Sequence, residues 1–167
     1  MKKILAAASF LMIMLTGCIK NNPVTTTVSK AEFDAATWNA NSIGVTYPIL
    51  TRVPIYGAAG GGVSLTRTLG LFQIRVNLLG QQKSIPTTFN YTVVSGETTA
   101  AAGVHYTALP GTGTIPANTS FGYIDIVLLN PFVSSTTPVI LVLEIVSNDI
   151  VAANTNYAKV GFSISQL

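Results

Sequence analysis

From Ile43 onward the chain alternates apolar and polar residues with a period of two, the pattern of strands that bury one face. Phe72, Ile74, Val76 and Leu78 alternate with Gln73, Arg75 and Asn77, and Phe89, Tyr91 and Val93 alternate with Asn90, Thr92 and Val94. Ile124, Ile126 and Leu128 share one face of a third stretch, with Tyr123, Asp125 and Val127 on the other. Val139 to Ser147 is almost continuously apolar and carries one charge, Glu144, which predicts a central strand covered on both sides. Tyr157 to Ser165 predicts a closing strand with Tyr157 or Ala158, Val160, Phe162 and Ile164 inward. Stretches near 43–50, 52–56 and 63–69 are also strand-like, but Pro48 and Pro54 confine them to edges or bends. Turn signals such as Gly60-Gly61-Gly62, Ser95-Gly96, Pro110-Gly111 and Asn148-Asp149 separate the runs. Seven or more short strands with almost no helix predict an antiparallel β-sandwich, with a closed barrel as the alternative.

The front of the chain follows another pattern. Lys2 and Lys3 precede an apolar run from Ile4 to Leu15, interrupted only by Ser9, and Leu15-Thr16-Gly17-Cys18 follows. Such a run is too short to span a hydrocarbon core of about 30 Å as a helix, and it suits the apolar region of a signal peptide. The Leu-Thr-Gly-Cys ending resembles the lipobox of Gram-negative lipoproteins. That resemblance implies cleavage between Gly17 and Cys18, and acyl chains (palmitate among them) on Cys18 as a membrane anchor. Several chains are required, because one acyl chain holds a protein only marginally and reversibly. In the sorting rule of such lipoproteins, Asp after the lipidated Cys means inner-membrane retention. Ile19 stands there, which implies the outer membrane, and Ile19 to Asn22 has no acidic export run, which implies its periplasmic face.

Residues 19–42 are rich in Thr, Ser, Asn and Ala, and Asn21 to Ser29 reads as a spacer. Ser29 to Glu32 has the makings of a single capped helical turn. Trp38 reads as a lid on one end of the domain, with a sugar-stacking platform as the alternative. The expected organisation is a signal peptide over 1–17, lipidated Cys and tether over 18–42, and a β-sandwich over 43–167.

Composition narrows the partners. The 167 residues allow one ordinary domain, and 49% hydrophobic against 9% charged residues excludes a solvated disordered chain. Of 9 Lys and Arg, two precede the cleavage point, leaving 7 against 6 acidic residues, or +1, with no basic stripe. No nucleic-acid partner is expected. The single Cys excludes an intrachain disulfide, so packing alone holds the fold.

A family resemblance lies in the middle of the chain. Asn90-Tyr91-Thr92-Val93, then Ala102-Gly103-Val104-His105-Tyr106, then Gly113-Thr114-Ile115-Pro116-Ala117-Asn118 and Gly122-Tyr123-Ile124-Asp125-Ile126 together resemble a Calx-beta domain over roughly residues 71–165. The order is also similar to small Gram-negative lipoproteins built on such a domain, and it implies an Ig-like sandwich. Calcium-binding members use the Asp of an Asp-Tyr corner and acidic loops at one end. Here the corner is His105-Tyr106, and Asn130 to Ser134 has no carboxylate. Calcium takes six to eight oxygens, several of them anionic, so no calcium site and no other cofactor or metal is expected.

Catalytic constellations find little support. His105 is the only His, and no Gly-x-Ser-x-Gly elbow accompanies it. Glu144 and Asp149 are weak glycosidase candidates, and Glu144 is expected to point outward or pair with a cation. One His with an acylated Cys cannot make a zinc site. The chain is therefore expected not to be an enzyme. What remains is binding by aromatics placed at turns or on polar strand faces: Trp38, Tyr47, Tyr56, Tyr106 and Tyr123, with Phe132. The leading expectation is a structural or interaction module of the cell envelope, adhesive or accessory to a larger assembly. The alternative is a carbohydrate-binding lipoprotein serving glycan uptake, and a hydrolase ranks third.

Overall fold

Nine strands and one short helix form among residues 28–59 and 61–167, the residues described by the computed structural model. In chain order they are β1 (Lys30–Phe33), α1 (Asp34–Trp38), β2 (Ile49–Leu50), β3 (Leu71–Leu79), β4 (Thr87–Val93), β5 (Thr112–Ile115), β6 (Phe121–Val127), β7 (Ser135–Val146), β8 (Ala152–Ala153) and β9 (Lys159–Gln166). They make a four-stranded sheet in the order β6-β3-β1-β8 and a five-stranded sheet in the order β2-β9-β7-β4-β5. The long pairings are antiparallel, as alternation predicts. Two short pairings, β1 with β8 and β2 with β9, are parallel.

The alternating residues meet between the sheets. Phe72, Ile74, Val76 and Leu78 from β3 and Ile124 and Ile126 from β6 face Phe89, Leu141, Leu143, Val160, Phe162 and Ile164. The rings of Phe72 and Phe162 cross the gap edge to face, with centroids 5.3 Å apart. Full burial of each large apolar side chain contributes roughly 1.5–3 kcal/mol. On β7, Leu141, Val142 and Leu143 are all fully buried, so the middle of the strand is covered on both faces, while Ser135–Pro138 and Val146 are exposed.

Three features depart from the expected layout. The sandwich begins at Lys30, inside the stretch assigned to the tether. Ala31 and Phe33 alternate inward there and lie opposite Leu78 and Val76, so the chain extends as a strand where one helical turn was expected, and α1 follows it. Between 43 and 69 only Ile49–Leu50 becomes a strand. The rest is held by single bridges, Arg52 with Ser64, Ile55 with Ala58 and Thr66 with Ser165, because prolines and positive-φ glycines prevent a continuous ladder. Lastly, β7 starts at Ser135 and runs through Pro138. Thr98 and Thr99 hydroxyls accept the N–H groups of Val142 and Ile140. Pro138, next along that edge, has no N–H to leave unpaired.

The expected signal peptide over 1–17 and the expected lipidation site, Cys18, lie outside the described residues. Among those described, no helix is long and apolar enough to cross a membrane.

Candidate functional site

The outer face of the four-stranded sheet gathers most of the molecule's organised aromatic and polar chemistry. Antiparallel register sets Asn77 opposite Phe121, Arg75 opposite Tyr123 and Gln73 opposite Asp125, all pointing away from the core because their neighbours point into it. The irregular segment after β2 folds over this face and lays Tyr56 against it. The Tyr56 hydroxyl donates to the Gln73 carbonyl. Its ring centroid lies 5.7 Å from that of Tyr123, and the Phe121 centroid lies 5.8 Å from Tyr123 on the other side.

Arg75 occupies the centre. Its guanidinium carbon lies 4.9 Å from the Tyr56 centroid and 5.2 Å from that of Phe121, within cation–π range. An Nη2 hydrogen goes to Asp34, in the first turn of α1, whose side chain is almost fully buried. Asp34 also accepts from Asn77 at 2.9 Å and from the Trp38 indole N–H at 2.9 Å. Burial pushes the Asp34 pKa up, but the hydrogen bonds from Arg75, Trp38 and Asn77, with the guanidinium charge, outweigh it, so the carboxyl titrates below its ordinary range. Arg75 Nε is buried without a hydrogen-bond partner among the described residues. The flanking aromatic faces offer its charge an alternative contact. Burial, with the neighbouring Tyr123 second, holds the Tyr56 phenol above its usual range, so it remains a neutral donor.

Gln73 Nε2 donates to Asp125 at 2.7 Å, so the exposed carboxylate is hydrogen-bonded on one oxygen. Beside this group, Pro54, Ile55, Val63, Leu69 and Leu71 line a shallow apolar cleft of about 510 Å³ that ends at Tyr56.

The five aromatics singled out from the sequence therefore divide. Tyr56 and Tyr123 come together on this face. Trp38 is half-buried, packs against the core as a lid, and orients Asp34 through its N–H. Tyr47 and Tyr106 do not belong to an exposed set, being only 5% and 4% exposed. Tyr47 lies over Gly161, whose missing side chain makes room for the ring, and burial followed by Glu97 pushes its pKa up to about 12. Tyr106 bridges to Leu128 and packs into the core end. Phe121 and Asp34 were missed. Phe121 shares Tyr123's face two residues away, a legible signal, whereas nothing local marks Asp34.

At one end of the sandwich the His105-Tyr106 corner adjoins the loop after β6. Leu129 N–H donates to the His105 carbonyl at 2.9 Å, joining the His105-Tyr106 corner to the Asn130–Ser134 loop. His105 Nδ1 accepts the Ala101 N–H at 2.9 Å, a local turn contact. Phe132 is held at φ 60° with its N–H on Asn130 Oδ1. Glu144 points outward, 3.8 Å from Lys159 Nζ. Among the described residues, no three His, Cys, Asp or Glu side chains cluster as metal ligands.

No protein-family model and no curated protein matches the chain. Solved structures do. The apo form of the Calx CBD1 domain aligns with a TM-score of 0.54 at 13% identity, over 83% of this chain and 98% of that one. CBD12 of CALX1.2 aligns at 0.48 and 18%, and the calcium binding domain CBD12 of CALX1.1 at 0.46 and 18%, with 60% and 59% of this chain and 40% of each of those covered. The CBD1 likeness establishes a Calx-beta-like sandwich as the fold.

Proposed function

We propose that the chain is a non-catalytic interaction module of the cell envelope, lipid-anchored through Cys18 at the periplasmic face of the outer membrane. It engages an envelope protein or a glycan through the outer face of its four-stranded sheet. The observation that carries this reading is the Tyr56–Tyr123–Phe121 group packed around Arg75. Tyr, Phe and Arg side chains fixed by their neighbours lose little freedom on binding, which is how interface anchors gain affinity. The Leu-Thr-Gly-Cys motif supports the anchor. Ten residues separate Cys18 from Ser29, so the eleven steps between them reach roughly 35 Å if extended, at the most 3.3–3.6 Å per residue. Ser29 enters at the end of the sandwich near Gly80, so the aromatic face runs along a side of the domain.

Photo-crosslinking in cells tests this. Benzoylphenylalanine at position 123 is expected to trap a partner, whereas the same residue at Thr92, exposed on the five-stranded sheet, is not. Cys18→Ser is expected to move the chain from the membrane to the soluble fraction and abolish the adduct. An adduct at 92 but not 123, or one unaffected by Cys18→Ser, contradicts the proposal.

A further inference from the structure

We infer that the occupant of the aromatic face is a soluble, uncharged glycan, held by stacking of a pyranose ring on Tyr123, with Phe121 bounding the site at a steep angle and the sugar hydroxyls bonded by Gln73 and Asp125. This assignment rests on the preceding reading that the face is an interaction surface and gives its ligand a chemistry.

Three observations carry it. First, Phe121 and Tyr123 are 40% and 39% exposed, so each ring is packed on part of its surface and bare on the rest. A bare, immobilised aromatic surface matches the apolar C–H face of a pyranose, which stacks at little cost in side-chain freedom. Second, hydrogen-bonding capacity is interleaved with the rings. Asp125 uses Oδ1 to accept from Gln73, and its Oδ2 and the Gln73 Oε1 have no partner among the described residues. Both are acceptors one register step from Tyr123, within reach of hydroxyls projecting from the edge of a stacked ring. Third, the charges leave no attraction for an anion. Arg75 is neutralised by Asp34, and Asp125 is the exposed charge beside the rings. Uronate or sulfate groups would meet that carboxylate, so neutral sugars are selected.

Ring geometry narrows the class further. The Tyr123 plane stands at 62° to Tyr56 and 77° to Phe121. Such rings form a shallow cup, whereas a flat crystalline polysaccharide surface needs a coplanar row. A chain end, a branch, or a short soluble stretch of about two sugars fits, given the ~6.8 Å between positions i and i+2 of a strand.

The test is calorimetric titration of the full chain, kept in a detergent without a sugar headgroup. The probes are neutral hexasaccharides of glucose (α-1,4 and β-1,4), xylose, mannose and N-acetylglucosamine, with hexagalacturonate as the anionic comparison. At least one neutral probe is expected to bind with a Kd below about 1 mM. Tyr123→Ala is expected to weaken it at least about tenfold, and Tyr123→Phe to leave it within about threefold, since stacking needs the ring and not the hydroxyl. Phe121→Ala provides a second reading should Tyr123→Ala fail to fold, and Thr92→Ala is expected to change nothing. Absence of binding to every neutral probe, preference for hexagalacturonate, or indifference to both ring deletions overturns the inference. If no neutral probe binds while position 123 crosslinks a protein in cells, the glycan falls and the interaction surface stands. If neither occurs, both fall.

Discussion

Asp34 is subject to two opposing influences: burial disfavours its charge, and donors from Arg75, Trp38 and Asn77 favour it, with the donors prevailing. Its folded pKa therefore lies below the unfolded value of about 3.9. The stabilisation is complete above that value and disappears as pH falls through the folded pKa. Asp34→Asn keeps the size but removes the charge facing Arg75, and breaking so buried a pair costs about 3 kcal/mol. Urea denaturation at pH 7 is expected to show that loss, and the acid-side decline of stability below about pH 4 is expected to be shallower in the variant. None of this was legible in the sequence. Asp34 and Arg75 are 41 residues apart, and each in isolation reads as an ordinary solvated charge. Tyr47 eluded the sequence for a related reason: its ring packs beside Gly161, over a hundred residues later, a contact no local pattern marks.

Strands were readable wherever one face is buried over several residues. On β3, β6 and β9 the alternation alone separates inward from outward side chains, since a one-residue slip would turn the whole set over. It failed where pairing is local or brief. The four residues of β1 sit among polar neighbours, and the 43–69 segment earns its order from single bridges and side-chain bonds, such as those from Arg52 to the Gly61 and Gly62 carbonyls. The passage between sheets also escapes periodicity. Where the chain passes from β5, at the edge of the five-stranded sheet, to β6 of the other sheet, Gly122 lies so close to β5 that a Cβ would stand 2.3 Å from the Thr114 carbonyl oxygen. Backbone cannot give way as a flexible side chain can. Gly122→Ala is expected to cost about 2–3 kcal/mol, in the range for overpacking, read as a lower denaturation midpoint with an unchanged m-value.

At the scale of the whole molecule, a Calx-beta-like sandwich carries its organised aromatic and polar side chains on a sheet face. The corner and loop that come together at one end carry His105, Asn130 and Ser134, whereas the aromatic and polar side chains that are rigidly held lie on a sheet face. The fold was legible because it follows from hydrophobic alternation. The site was half legible: Tyr56 and Tyr123 were candidates, but only tertiary structure joins them, adds Phe121 and Arg75, and withdraws Tyr47 and Tyr106 into the interior. The central claim is that this face is occupied in the cell, and hydroxyl-radical footprinting with mass spectrometry tests it most directly. Phe121 and Tyr123 are expected to be oxidised in the purified chain and shielded in intact envelopes. Phe132, 87% exposed in the loop before β7, is expected to react in both. Equal oxidation of Phe121 and Tyr123 in the two states would contradict the account.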